Sequence, residues 1–166
     1  PPGGGPATAA AEQSLTLPPG SQSKTLVLRI DSVKLWDFDH PNVYRAEVIL
    51  QDARGNPLDL LTDNFGARTV EIRDRHLLLN GEPVRLTGMA RHEESPGEGL
   101  AETRGTMKYD WDDMKNLQMT LTRPVHYPQH PYILDYADRN GILLIPEIPV
   151  WQFSGEQMSD PKVIAL

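Results

Sequence analysis

The pattern of apolar and polar positions changes character once, near residue 74. Before it, apolar residues alternate with polar ones or gather in short runs between turn signals, which is the pattern of β-strands. Residues 14–17 form a short candidate strand closed by Pro18-Pro19-Gly20, and residues 25–30 are aliphatic and alternate weakly. Residues 43–50 alternate more cleanly. Val43, Arg45, Glu47 and Ile49 fall on one face, and Tyr44, Ala46, Val48 and Leu50 on the other, which is expected to be half-buried. Arg54-Gly55-Asn56-Pro57 is a turn signal that suits a hairpin with the strand after it, and residues 66–72 supply a further strand. Short strands punctuated in this way predict part of a β-sandwich.

After Asp74 the pattern alternates between strand and helix. Leu77-Leu78-Leu79 and Val84-Arg85-Leu86 flank Asn80-Gly81, a strong hairpin signal, and a strand is expected over residues 84–89. Residues 110–119 predict a helix capped by Asp110, with Trp111, Met114 and Leu117 as its apolar seam and Asp112 and Asp113 in its first turn. Residues 121–125 read as a strand. Residues 131–140 read as a helix with Pro131 at its first position and Gly141 as its C-terminal cap. The apolar run at 142–145 predicts a strand buried on both faces. Strand, helix, strand, helix, strand is the order of an α/β unit with a parallel sheet. The expected domains are therefore residues 1–73, a flexible stretch with a partial sandwich, and residues 74–166, an α/β part. A complete (β/α)8 barrel takes about 250 residues. Periodicity alone leaves the second part open between a small open α/β layer and the opening of a barrel.

Composition narrows the function. A net charge of -7 argues against nucleic-acid binding, which needs cations to meet phosphates. No apolar run approaches the roughly 20 residues of a membrane span. The absence of cysteine excludes disulfides and thiolate metal sites without fixing a compartment. Residues 1–11 are rich in Pro, Gly and Ala and read as linker, and a start on Pro-Pro-Gly-Gly-Gly reads as a cut edge. Nothing in the pattern specifies an oligomeric state.

Three polar clusters fall where parallel strands would end: Arg91-His92-Glu93-Glu94, Arg123 through His130, and Pro146-Glu147 through Trp151. In parallel α/β folds the C-terminal strand ends build the active site, so this co-location marks a candidate site. Each cluster also has an ordinary reading. His92 and His126 suit solvated loops, Arg91 and Arg123 suit ion pairs with Glu93 or Glu94, Glu147 suits backbone donors, and Trp151 suits core packing. His126 and His130 are four apart, but Pro128 and Pro131 make that stretch a turn entering a helix, and no HExxH pattern occurs.

The same words, taken in order, resemble family 2 of the glycoside hydrolases, the β-galactosidase and β-glucuronidase group. Leu35-Trp36 through His40-Pro41-Asn42-Val43-Tyr44 is similar to the family's "LW…HPNLY" in its immunoglobulin-like domain. Phe65-Gly66-Ala67-Arg68 is similar to "FGxR". Leu79-Asn80-Gly81-Glu82-Pro83, with Gly88 and Arg91-His92-Glu93, is similar to "INGKP…GVNRHE". Arg123 with His126-Tyr127-Pro128 resembles "RxSHYP", and Asp138-Arg139-Asn140-Gly141 with Pro146-Glu147 resembles "CDRYG…DE". Order and spacing agree from about Leu35 to Trp151.

The resemblance implies a fold: a partial immunoglobulin-like sandwich, then the first three strands and two helices of a (β/α)8 barrel. It implies a β-glycoside as substrate and no cofactor. By it, His92 and His126 meet sugar hydroxyls, Arg123 supports the nucleophile, and Arg91, Glu147 and Trp151 are site support. The metal-ligand positions of the β-galactosidase branch are occupied by Trp151 and Phe153, which disfavours that branch's metal. Retaining hydrolysis needs two carboxyl groups about 5–5.5 Å apart. Neither family position for them falls within this chain, so an internal fragment without its own acid/base and nucleophile is expected, with a non-catalytic carbohydrate-binding or structural module, or a metal-dependent hydrolase on a barrel fold, as the alternatives.

Overall fold

The computed structural model describes residues 8–16 and 20–164. The chain divides into two compact units, Pro1–Lys34 and Leu35–Leu166. Among the described residues of the first unit there is neither helix nor strand. The strand expected at 25–30 is absent: Leu26, Val27 and Leu28 are exposed, and no neighbour supplies the ladder partner that an isolated strand requires. The strand expected at 14–17 is likewise absent over 14–16, and Leu17 lies outside the described residues, as do Pro1 to Ala7 of the linker reading.

The second unit opens with a hairpin of β1 (Tyr44–Gln51) and β2 (Pro57–Phe65), paired antiparallel from Tyr44↔Phe65 inward. Its turn is the one expected, and Asp52 shapes it: Oδ1 accepts from the amides of Arg54 at 2.8 Å and Asn56 at 2.9 Å. Alternation along β1 is as predicted, but burial is not. Tyr44 and Ala46 are half-buried, while Val48 and Leu50 are exposed, because no second layer covers that end of the hairpin among the described residues.

A meander follows: β3 (Val70–Arg73), β4 (His76–Leu79) and β5 (Glu82–Pro83). Both connections are two residues long with both residues at positive φ, Asp74 and Arg75 in the first, Asn80 and Gly81 in the second. Such mirror-image turns match the right-handed twist of the strands. Asn80-Gly81 is legible in the sequence. Asp74-Arg75 is not, because arginine rarely takes positive φ.

The α/β part is a three-stranded parallel sheet in the order β6 (Gly88–His92), β7 (Leu121–Val125), β8 (Leu143–Leu144). Helix α1 (Arg104–Asn116) links the first pair and α2 (Pro131–Asn140) the second. Short helices α3 (Gly155–Met158) and α4 (Pro161–Ile164) end the described chain. The core lies between sheet and helices and includes Met107, Trp111, Met114, Ile133, Tyr136 and Ile142. Three open strands are present, with both edges free among the described residues.

Three expectations are corrected here. Helix α1 starts six residues earlier than its predicted Asp110 cap: Thr103 is the N-cap, and its hydroxyl accepts from the Thr106 amide. The seam is Met107, Trp111 and Met114, leaving Leu117 exposed beyond the helix. The strand placed at 84–89 lies at 88–92, so Arg91 and His92 are within it rather than after it. The strand at 142–145 shortens to Leu143–Leu144 and is half-buried, since β8 is a sheet edge. Helix α2 agrees with its prediction in both bounds, with Gly141 left-handed at φ 67. A side chain at Gly141 would also strike the Phe38 carbonyl oxygen at 2.2 Å.

Trp36 ties the antiparallel region to this part. It is 1% exposed. Its indole N–H donates to the Asp138 carbonyl of α2 at 2.6 Å, and its own carbonyl accepts from the Asn80 side chain at 3.0 Å. Gly66 leaves it room, since a Cβ there would sit 2.9 Å from the indole.

Candidate functional site

In the parallel sheet, β7 places Arg123 beside Ala90 and Val125 beside His92. His126 is the next residue, so it leaves the sheet at the same edge where β6 ends on His92. The chain leaving β8 reaches that edge three residues later with Glu147. These positions follow from register alone, and the side chains converge. The His92 and His126 rings meet edge to face with centroids 5.1 Å apart.

Glu147 is the hub. Arg123 donates from Nε and Nη2 to its Oε1, and His126 Nδ1 lies 2.9 Å from its Oε2. Burial works to raise the Glu147 pKa, but the hydrogen bonds from His126 and Arg123 and their charges outweigh it and hold the carboxyl below its ordinary value. Trp151 stacks on His126 with centroids 4.9 Å apart and planes 22° from parallel. The imidazole is therefore bounded on its face by indole, on its edge by His92 and at Nδ1 by a carboxylate.

Arg91 goes elsewhere. Being one residue from His92 on a strand, it presents the opposite face of the sheet. There it meets Asp110 of α1, with Nη2 at 2.6 Å, and Glu102, with Nη2 between 2.8 and 2.9 Å from both oxygens. The Arg91 side chain is 9% exposed and that of Glu102 0%. Burial lowers the Arg91 pKa, but its hydrogen bonds to Glu102 and Asp110 reverse the sign and raise it. Of the six residues singled out in the sequence, five thus gather at one edge, and Arg91 braces β6 against α1. Neither arginine pairs with Glu93 or Glu94. Glu93 instead accepts from the His130 amide at 2.9 Å, and His130 caps α2 by accepting from the Tyr132 amide at 3.0 Å.

Sequence reasoning missed Glu102 and the structural part of Asp110. Glu102 stands just before the Thr103 cap, with no local pattern to announce its burial. Asp110 flanks the 107–111–114 seam, a position that only a correct helix start reveals. Among the described residues, no three His, Cys, Asp or Glu side chains group as metal ligands. No helix among them is long and apolar enough to cross a membrane. A cleft of about 480 Å3, lined by Asn64, Phe65, Gly66, Arg68, Val70 and Asp138, shares no residue with the cluster.

An antiparallel region followed by parallel βα units, with polar side chains gathered at the C-terminal strand edge, defines a β domain followed by an α/β domain of the kind that builds its site at that edge. Residues 70–163 match the family described as "Glycosyl hydrolases family 2, TIM barrel domain", and residues 3–68 match "Glycosyl hydrolases family 2". The beta-galactosidases of Thermoanaerobacterium thermosulfurigenes and Thermoanaerobacter pseudethanolicus are 35% identical over 127 residues and 38% identical over 132 residues. These matches cover 76% and 78% of this chain, and 18% of each relative. Among solved structures, the GH2 beta-galacturonidase from Eisenbergiella tayi bound to galacturonate matches with a TM-score of 0.75 at 32% identity, covering 84% of this chain and 25% of that one. The b-glucuronidase from Ruminococcus gnavus in complex with D-glucuronic acid matches with a TM-score of 0.69 at 32% identity, over 74% and 21%. The chain belongs to family 2 of the glycosyl hydrolases, and it spans about a fifth of the length of these relatives.

Proposed function

We propose that this chain carries part of the sugar-binding rim of a retaining β-glycoside hydrolase, without the acid/base and nucleophile. The observation that carries this reading is the convergence of Arg123, His126 and Glu147 at the C-terminal edge of the parallel sheet, with His92 and Trp151 against the same imidazole. In this reading His92 and His126 meet ligand hydroxyls. Arg123 shares its charge between Glu147 and the nucleophile of the complete site. Trp151 and Glu147 hold the histidine in place, and Arg91 stiffens the strand beneath. Retaining chemistry asks for two carboxyl groups about 5–5.5 Å apart, and in this reading Glu147, matching neither family position, is not one of them.

The same reading assigns residues 1–73 to the β domain and 74–166 to the barrel's opening, with β6, β7 and β8 as its first three strands. The changeover of family matches between residues 68 and 70 supports a boundary close to that one, while the antiparallel meander of β3, β4 and β5 straddles it and parallel pairing begins at β6.

The test is to titrate the 15N-labelled chain with p-nitrophenyl β-galactoside and β-glucuronide, following histidine signals and nitrophenol release together. The expected outcome is a shift at His92 and His126 for at least one glycoside, with release no faster than in buffer. Unmoved histidines overturn the rim, and release above buffer overturns the missing acid/base pair.

A further inference from the structure

We propose that Glu147 and Trp151 together fix His126 in its Nδ1–H tautomer, so that Nε2 presents a lone pair to a hydroxyl donor on the ligand. The part concerning the ligand rests on the rim reading above; the part concerning the tautomer does not.

A neutral imidazole has one donor and one acceptor, and the partner of one nitrogen decides the state of the other. The partner of Nδ1 is Glu147 Oε2 at 2.9 Å. An ionised carboxylate only accepts, and Arg123 on its other oxygen keeps it ionised. The proton therefore sits on Nδ1. Trp151, stacked within 22° of parallel, sets the plane of the ring, and the His92 edge contact at 76° limits its tilt. No group among the described residues bonds Nε2. While the ring is neutral, its free nitrogen is thus an acceptor. It suits a sugar hydroxyl and rejects an acceptor-only group, such as a carboxylate, an ether oxygen or a fluorine in the same place. Trp151 is in this sense a positioning residue that acts through His126.

The chain contains its own contrast. His130 Nδ1 accepts from the Tyr132 amide at 3.0 Å, which places the proton of His130 on Nε2. The two histidines are predicted to be opposite tautomers four residues apart.

The experiment is a long-range 1H–15N spectrum of the 166-residue chain at about pH 8.5, two units above an ordinary imidazole. His126 is assigned by loss of its signals in His126→Gln. The expected result is a protonated, pyrrole-type Nδ1 and a bare, pyridine-type Nε2 for His126, with the reverse for His130. Glu147→Ala should reverse His126 and leave His130 unchanged. Trp151→Leu should shrink the separation of the two His126 nitrogen shifts, and Trp151→Phe should restore it. An Nε2–H form of His126 in the unmodified chain overturns the proposal, and so does a His126 pattern that survives Glu147→Ala. A spectrum in which all five histidines look like free histidine overturns it as well, because the clamp then does not exist in solution. A sugar titration that leaves His126 unmoved sinks the rim reading alone, and a wrong tautomer that still responds to sugar sinks only the polarity assigned here.

Discussion

At the scale of single residues, two carboxylates show how surroundings divide one chemistry into two roles. Glu102 is sealed against Arg91, with no exposed side-chain surface. Breaking a buried ion pair from one side leaves a lone charge and typically destabilises by about 3–5 kcal/mol. Asp110 still pairs with Arg91 when Glu102 is removed, so Glu102→Ala is expected to lower the unfolding free energy by less than that, read from a urea midpoint, and an apolar replacement of both Arg91 and Glu102 should be milder still. Glu147 is partly open, and its bonds give a pH dependence rather than a large stability term. Its folded pKa lies below the ordinary value, so its contribution is full above the ordinary carboxylate range and is lost as pH falls through the lowered folded value. The signature to follow in an acid titration is loss of the Trp151–His126 ring-current shifts below the ordinary glutamate range, and persistence of those shifts in Glu147→Ala would contradict it. Which residues would gather was legible in part, since Arg123 lies in β7, His126 follows it directly and Glu147 stands three residues past β8, all toward the same edge. That Arg91 would turn away was legible in principle, because it alternates with His92, but only once the strand is placed at 88–92.

At the scale of elements, what the sequence revealed depended on local chemistry. Helix α2 is bounded by its own residues, Pro131 at the start and Gly141 at the end, and its prediction and its observed span agree. For helix α1 the sequence pattern points to Asp110 as the cap, which leaves the helical residues from Arg104 up to it unpredicted. The Thr103 hydroxyl satisfies an orphan amide, and Thr103→Ala is expected to destabilise by about 1 kcal/mol. Asp110→Ala should instead act through Arg91, and a larger loss at Thr103 than at Asp110 would mean that the ion pair contributes little. The strand expected at 25–30 failed for a different reason: propensity favours an extended chain, but a strand exists only with a partner.

At the scale of the whole molecule, burial is uneven. Trp36, Leu78 and Leu79 and the α1–α2 core are well packed, whereas Val48, Leu58 and Leu61 on the hairpin and Ile145 and Ile148 beyond the parallel sheet are exposed. Uncovered apolar faces and free sheet edges favour association and loose packing. The isolated chain is expected to bind a hydrophobic dye and to melt over a broad range, and a sharp calorimetric transition without dye binding would refute this. Sequence periodicity foretold which faces are apolar. It could not foretell that they stay uncovered, since covering is a property of partners and not of the strand itself.

Trp36 adds a consequence in time. Its indole reaches a carbonyl 102 positions further along the chain. Closing so long a loop forfeits much chain freedom before any contact repays it. Local pieces such as the Asn80-Gly81 hairpin and α2 need little loop closure to form, and the seat of Trp36 is made from both of them. The bolt between the antiparallel and parallel regions is therefore expected to be shot late, although Trp36 precedes both of its partners in the chain.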